Sequence, residues 1–314
     1  MVFVTGSTGF IGHAVVKALR AVPGYAVRAS VRRGRLGDGG VETVIAELAP
    51  DTDWAAALAD VDVVVHTAAR VHIMNDQAAD PLAEFRRANV AGTLALARQA
   101  AAASVQRFVF ISSIKVNGED TQPGRPFTAD DTPAAPQDAY GISKMEAEQG
   151  LREIAAYTGM EVVIIRPPLV YGPGVRANFR SLMRAVAHGL PLPLGAVDNR
   201  RSLLGVDNLV DFVVTCVQHP AAAGQTFLVS DGEDLSTAEL VRRMAQVMGK
   251  PARLVPVPVW LLQAGAALLG KRDVVQRLCG SLQVDIHKNR EMLGWVPVIG
   301  VDEGLRRTVA GWHQ

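Results

Sequence analysis

Tyr140 and Lys144 stand four residues apart in Tyr140-Gly141-Ile142-Ser143-Lys144. On a helix this spacing puts both side chains on one face, about 5–6 Å apart at Cβ. A free tyrosine, with a pKa of ~10, is a poor proton relay at neutral pH. A neighbouring ammonium favours the phenolate, so the pair reads as an acid/base. Such a pair alone is common by chance. It gains weight from Ser112-Ser113, which closes the apolar run of residues 108–112. A hydroxyl there would orient and polarise a carbonyl or an alcohol.

A second constellation lies at the chain start, in Thr5-Gly6-Ser7-Thr8-Gly9-Phe10-Ile11-Gly12. The glycines recur every three residues between an apolar run and a helical stretch. Gly6 permits a tight turn, Gly9 lets backbone N–H groups approach a pyrophosphate, and Gly12 allows close helix–strand packing. In that context the loop predicts a dinucleotide site. The second strand selects the dinucleotide: a carboxylate at its end suits the ribose of NAD, and arginine suits the 2′-phosphate of NADP. Here it ends Val31-Arg32-Arg33, with no acid before Asp38. A guanidinium is well shaped for phosphate, so NADP(H) is the preferred cofactor and NAD(H) the alternative.

The elements that must position these residues alternate. Strand-like runs at residues 2–4, 26–31, 42–45, 61–66, 108–112 and 161–166 are separated by helical stretches at 10–21, 54–59, 82–103 and 140–158. Continuous apolar runs such as 61–66 indicate strands covered on both faces. The expected fold is therefore α/β, a doubly wound parallel sheet of Rossmann type. Prolines punctuate the sequence after Arg166, whereas 212–217 and 227–230 read as a helix and a strand returning to the sheet. This suggests a dinucleotide-binding domain of residues 1–166 plus 203–231. A smaller substrate domain, 167–202 plus 232–314, would lie over the carboxyl ends of the strands, where such sheets bind ligands.

Together these residues resemble the extended short-chain dehydrogenase/reductase family, specifically its nucleotide-sugar epimerase/dehydratase branch, over essentially the whole chain. Gly6, Gly9 and Gly12 match its Gly-x-x-Gly-x-x-Gly loop, which also brings Thr8, Phe10 and Ile11 to the cofactor. His66-Thr67-Ala68-Ala69 is similar to its His-x-Ala-Ala segment, so Thr67, Ala68 and Ala69 line the cofactor. Asn89-Val90-Ala91-Gly92-Thr93 is similar to its Asn-Val-x-Gly-Thr helix. Ser112-Ser113-Ile114-Lys115-Val116-Asn117-Gly118 aligns with Ser-Ser-x-x-Val-Tyr-Gly, which makes Ser113 the catalytic hydroxyl beside Tyr140 and Lys144 and puts Ser112 at the cofactor. Arg166-Pro167 and Val170-Tyr171-Gly172-Pro173-Gly174 match the crossover toward the substrate region, with Pro167 on the cofactor. The resemblance further implies that Asn178 and Arg201 contact a nucleotide diphosphate, that Glu47 and Leu48 lie at the adenine, and that residues 288–295 are structural.

The departures from the family pattern narrow the chemistry. Dehydratases of this branch carry Thr-Asp-Glu where this chain has Ser112, Ser113 and Ile114, so water elimination has no evident catalyst. Asn117 replaces a tyrosine and is expected to alter the pocket shape. His66 reads as packing, and Arg70 and His72 as solvated loop residues. Asn89 is open between a helix residue and a site-shaping one. Lys115 is given no role.

Composition excludes other classes. A net charge of +1 with interspersed acids and bases offers no nucleic-acid surface. Two separated cysteines, Cys216 and Cys279, give neither a disulfide scaffold nor metal spacing. Residues 254–269 are apolar but contain Pro256, Pro258 and Gln263, and read as a strand end and a buried helix rather than a span. With no targeting segment visible, a cytoplasmic enzyme without membrane insertion is expected.

The leading expectation is an NADPH-dependent reductase acting at C4 of a UDP-4-keto-6-deoxy-sugar for surface polysaccharide. The second is a UDP-hexose 4-epimerase using retained NAD. A non-catalytic dinucleotide sensor is the third. The resemblance also implies a homodimer, paired through residues 82–103 and 140–158.

Overall fold

The computed structural model describes residues 1–34, 36, 41–71, 80–131, 133, 136–268, 270 and 272–312. Asp38 and His72 lie outside the described residues.

The first half alternates as expected. β1 (Val2–Thr5) leads into α1 (Phe10–Ala21), followed by β2 (Val27–Val31), β3 (Glu42–Ile45), α2 (Ala55–Leu58) and β4 (Val63–His66). The stretch expected as one helix over 82–103 has three parts: α3 (Pro81–Phe85), a π-helical segment Arg86–Gly92, and α4 (Thr93–Ala102). Then come β5 (Arg107–Ile111), a 3-10 turn at Ile114–Val116, α5 (Ala139–Thr158) and β6 (Glu161–Arg166). Asp138 caps α5 by accepting from the Gly141 amide, and Gly159, left-handed at φ 76°, ends it.

Among the described residues, the main sheet has seven strands in the order β3-β2-β1-β4-β5-β6-β9, with β9 spanning Thr226–Leu228 and every pairing parallel. Alternation within buried strands sends successive side chains to opposite faces. Val2, Val4, Val65, Val109, Val163 and Ile165 pack toward α1 and α7 (Val206–Gln218). Phe3, Val64, Phe108, Phe110, Val162 and Ile164 pack toward α2, α4 and α5 around Trp54, Leu96, Leu151 and Ile154. Two separate cores on one sheet explain why the strands read as unbroken apolar runs. The order reverses between β1 and β4, whose ends meet at Thr5 and His66. That switch point is where such sheets open a ligand crevice.

A second sheet holds β7 (Leu169–Tyr171), β8 (Arg201–Gly205) and β10 (Asp234–Leu235), in the order β10-β8-β7. Its core gathers Tyr171, Phe179, Leu203, Leu235, Met244 and Leu305, from these strands and from α6 (Ala177–Ala187), α8 (Thr237–Val247) and α12 (Val301–Ala310). The segment 288–295 overlaps α11 (His287–Leu293) and is built into the main core. Trp295 donates from Nε1 to Asp211 at 2.8 Å and packs edge-on to Phe212.

One expectation fails here. α9 (Val259–Leu268), expected to be buried, exposes Trp260 at 65% and Leu268 at 88% and buries Ala266. Apolar composition without periodicity gave no sign of which face would be covered. Among the described residues no helix is long and apolar enough to cross a membrane.

Candidate active site

The glycine loop has the geometry its spacing predicts. Gly6 is left-handed at φ 70°, and a Cβ there would lie 2.7 Å from the Ala68 amide nitrogen. A Cβ on Gly12 would sit 2.2 Å from the Gly6 carbonyl oxygen, so only hydrogen fits between turn and helix. Gly9 caps α1 with no side-chain acceptor, leaving the first-turn N–H groups directed at the crevice. Ser7 donates to the Ser30 carbonyl at 2.6 Å and Thr67 to the Thr5 carbonyl at 2.6 Å, which fix the loop to β2 and to the end of β4. A small-residue cradle at a helix N-terminus fits a pyrophosphate, and Thr8, Phe10, Ile11, Ala68 and Ala69 lie in or beside it.

Farther along the crevice edge, Arg32 and Arg33 follow β2 and are exposed. Glu47 is exposed after β3, and its carbonyl accepts from the Thr52 hydroxyl. Leu48 packs against Gly92, where a Cβ would come within 3.0 Å of its Cγ.

The catalytic candidates come from two elements. Ser113 caps the 3-10 turn after β5, its Oγ accepting from the Lys115 amide at 3.3 Å. Tyr140 and Lys144 share one face of α5. The Lys144 ammonium donates to the Ile111 carbonyl at 2.8 Å, at the end of the strand that leads to Ser113. It stands 4.4 Å from the Phe110 ring centre and 5.9 Å from that of Tyr140. Burial lowers its pKa to about 7, against which Glu148 acts to keep the charge.

Tyr140 departs from the expectation that its lysine would bring its pKa down. Burial, and then the Asp138 carboxylate, push its phenol up to about 12. Desolvation outweighs an ammonium that is itself held on a carbonyl rather than on the phenol. The Phe85 ring packs edge-on at 6.2 Å and fixes the tyrosine from α3.

A buried network underlies this surface. Ser112 donates from Oγ to Glu148 Oε1 at 2.6 Å. Arg166 holds Glu148 bidentately, at 2.9 and 2.6 Å, and donates from Nη1 to Asn117 Oδ1 at 2.8 Å. Ser112 therefore turns into this network. Asn117, expected to reshape the pocket, lies 2% exposed and links Arg166 to the Thr128 carbonyl. Glu148 drew no notice in the sequence, although it extends the Tyr140, Lys144 face by one more turn.

Asn89 is buried and joins two segments beside the catalytic candidates. It sits in the π-helical segment, accepts from the Arg70 amide at 2.7 Å, and donates to the Arg70 carbonyl and to Ser143 Oγ, each at 3.0 Å. It thus ties the loop after β4 to the first turns of α5. Arg70, expected to be solvated, instead lies over the Phe85 ring at 5.5 Å. His66 is wholly buried, hydrogen-bonded to the Thr5 and Thr93 hydroxyls, and stacked on Phe110. Burial, then Lys144, lowers its pKa to about 3, so it packs as a neutral ring.

The substrate candidates come from α6 and β8. Asn178 is exposed in the first turn of α6. Arg201 opens β8 and donates from Nη1 to the Gly280 carbonyl at 2.9 Å. Gly280 borders a cavity of about 570 Å³ lined also by Asp120, Gln263, Gln276 and Cys279. Ser113, Tyr140 and Lys144 do not line it. Pro167 accepts through its carbonyl from the Ile114 amide at 3.0 Å, beside Ser113. Among the described residues no group of three or more His, Cys, Asp or Glu side chains is placed to hold a metal ion.

Residues 2–230 match the NAD dependent epimerase/dehydratase family. The chain belongs to that family.

Individual relatives provide closer comparisons. The chain is 50% identical over 314 residues to a UDP-glucose 4-epimerase of Vibrio cholerae, covering all of this chain and 95% of that protein. It is 28% identical over 273 residues to the N-acetyl-alpha-D-glucosaminyl-diphospho-ditrans,octacis-undecaprenol 4-epimerase of Escherichia coli O157:H7, covering 81% and 78%. Among solved structures, MoeE5 in complex with UDP-glucuronic acid and NAD superposes with a TM-score of 0.79 at 25% identity, over 99% of this chain and 98% of that one.

Proposed function

We propose that this family member is a UDP-sugar 4-epimerase, inverting C4 of a UDP-hexose or UDP-N-acetylhexosamine with a retained NAD. The observation that carries this reading is the 50% identity, over the full chain, to the Vibrio cholerae UDP-glucose 4-epimerase. It moves the epimerase ahead of the 4-ketoreductase that the sequence alone placed first. NAD likewise moves ahead of NADP(H), because MoeE5, similar over almost the whole chain, was solved with NAD.

The residues present suit the chemistry. The Gly6–Gly12 loop, with Thr67, Ala68 and Ala69 beside it, would hold the dinucleotide at the switch point. Ser112, Asn89 and Pro167 would shape the far end of its site, Ser112 through Glu148 and Asn89 through Ser143. Glu47 and Leu48 would border the adenine. The bound nicotinamide supplies the acceptor and donor of hydride. Tyr140 would take the proton of the C4 hydroxyl and return it, and Ser113 would hold that oxygen. Lys144 would orient the dinucleotide's ribose and favour the phenolate once a hydroxyl competes with the Ile111 carbonyl. Inversion requires the sugar to present its other face between the two transfers. A grip remote from C4 permits that, and Arg201 and Asn178 would supply it at the diphosphate. In this reading residues 167–202 plus 232–314 hold the nucleotide sugar over 1–166 plus 203–231. Two copies pair through 82–103 and 140–158, which sedimentation analysis would test.

A second reading, the NADP(H)-dependent 4-ketoreductase, is favoured by one observation: Arg32 and Arg33 directly follow β2, and the sequence has no acid there before Asp38. The nucleotide released on acid denaturation of the purified protein separates the readings. Stoichiometric NAD supports the epimerase. Protein that carries no nucleotide, and oxidises NADPH only when given a keto-sugar, overturns it.

A further inference from the structure

Two charged side chains that the proposed chemistry does not use meet beside Tyr140. Lys115 is the second residue after Ser113, in the 3-10 turn. Its ammonium donates to Asp138 Oδ2 at 2.8 Å, and Glu119 Oε1 lies 3.4 Å away. The other oxygen of Asp138 accepts from the Gly141 amide at 3.0 Å and caps α5, whose second residue is Tyr140. Both partners of the pair are about one-third exposed, 33% and 30%. The contact is tightly framed: a Cβ on Gly141 would lie 3.2 Å from Asp138 Oδ2 and 3.4 Å from the Lys115 Cβ.

We propose that Lys115 is a positioning residue. By pairing with Asp138 it ties the turn that carries Ser113 to the turn that carries Tyr140, and it offsets the carboxylate charge that opposes proton release from Tyr140. This rests on the reading of Tyr140 as the acid/base.

The cap and the charge at Asp138 have opposite consequences. As a cap, the carboxylate satisfies an amide and favours the helix start. As a charge two residues from the phenol, it disfavours the phenolate. Burial pushes the Asp138 carboxyl up, but hydrogen bonds from Lys115 and the Gly141 amide more than offset this and hold it below its ordinary value. The carboxylate is therefore ionised wherever the enzyme works, and Lys115 is the cation bonded to it. Among the described residues, the other charged groups on the elements packed around the tyrosine include Lys144 on its own helix with Glu148 one turn beyond it, Glu119, Arg70 across the Phe85 ring, and Glu146 paired with Arg86. His66 behind Lys144 is neutral.

The test is a charge cycle read in the pH profile of kcat, with the enzyme holding its dinucleotide and turning over UDP-glucose. Lys115→Met leaves the carboxylate unopposed, so the limb on which kcat rises with pH moves to higher pH. Asp138→Asn keeps a good cap but removes the nearer of the two carboxylates on the ammonium, leaving Glu119 at 3.4 Å, so the same limb moves to lower pH. Each shift should be about half a pH unit or more, the effect of one partly screened charge. The double variant should return the limb close to its original position. A purely structural tie would lower kcat in both single variants without opposed shifts, and that result, or two unmoved profiles, overturns the proposal. Tyr140→Phe, assayed alongside, keeps the two claims separate. If it turns over at the unaltered rate, the acid/base reading fails first. If it is inactive while the limb stays fixed in the charge variants, the Lys115 proposal fails alone.

Discussion

Lys144 lies one helical turn from Tyr140, yet its ammonium is bonded to the Ile111 carbonyl at 2.8 Å and stands 5.9 Å from the tyrosine ring centre. The pair is thus preorganised in position but not in charge. The phenol sits near pKa 12 and the ammonium near 7, both displaced chiefly by burial.

Replacing Tyr140 by Phe removes the proton relay and little else, since the ring keeps its edge contact with Phe85. We expect kcat to fall by about 10²–10⁴-fold, the usual weight of a general acid/base, with KM and thermal stability nearly unchanged. Steady-state kinetics and a melting curve check both.

The lysine makes a stability prediction with a definite sign. Its pKa in the folded chain, about 7, lies below its ordinary 10.5. Between those values the unfolded chain binds more protons, so stability from this group rises with pH across that window. The cost of burying the charge is full below pH 7 and relieved toward pH 10.5. Lys144→Met should therefore gain more in Tm, relative to the unaltered protein, at pH 6.5 than at pH 10, while losing activity at both. Melting curves at the two pH values decide it; an equal gain at both would count against a charged buried lysine.

Glu148 and Arg166 are 1% and 2% exposed. Removing one charge of a buried, hydrogen-bonded pair leaves the other uncompensated, at a cost of roughly 3–5 kcal/mol. Glu148→Gln should lower the urea midpoint accordingly. It should also reduce kcat, because Ser112, the neighbour of Ser113, loses its carboxylate partner.

Gly12→Ala would place a methyl group 2.2 Å from the Gly6 carbonyl, a backbone atom that cannot swing aside. The turn must open, so the purified variant should retain far less dinucleotide than the unaltered protein. Absorbance of the denatured supernatant measures that ratio.

Much of this was legible in the sequence because the signals were local. β3 and β6 fell on the residues expected, and the glycines of the first loop occupy the positions that their spacing implied. The Tyr140 and Lys144 pair was read from its four-residue spacing, with Ser112-Ser113 at the end of the preceding strand adding weight. What was hidden depended on contacts between distant segments. The ties of Asn89 to Arg70 and Ser143, of Ser112 to Glu148, and of Lys115 to Asp138 join residues 19 to 54 positions apart. Nothing in the helical pattern of residues 82–103 announced the π-helical turn at Arg86–Gly92 that carries Asn89. The exposure of α9 was equally illegible, since an uncharged helix looks the same whichever side is covered.

The central claim is tested most directly by giving the protein, as purified, UDP-glucose with no added cofactor and following the C4 configuration by proton NMR. The account predicts that UDP-galactose appears and approaches a fixed equilibrium ratio, and that the same ratio is reached from UDP-galactose. The same trial with the two N-acetylated sugars identifies the preferred pair. If none of the four sugars is converted, while a UDP-4-keto-sugar is reduced at the expense of added NADPH, the epimerase account is contradicted.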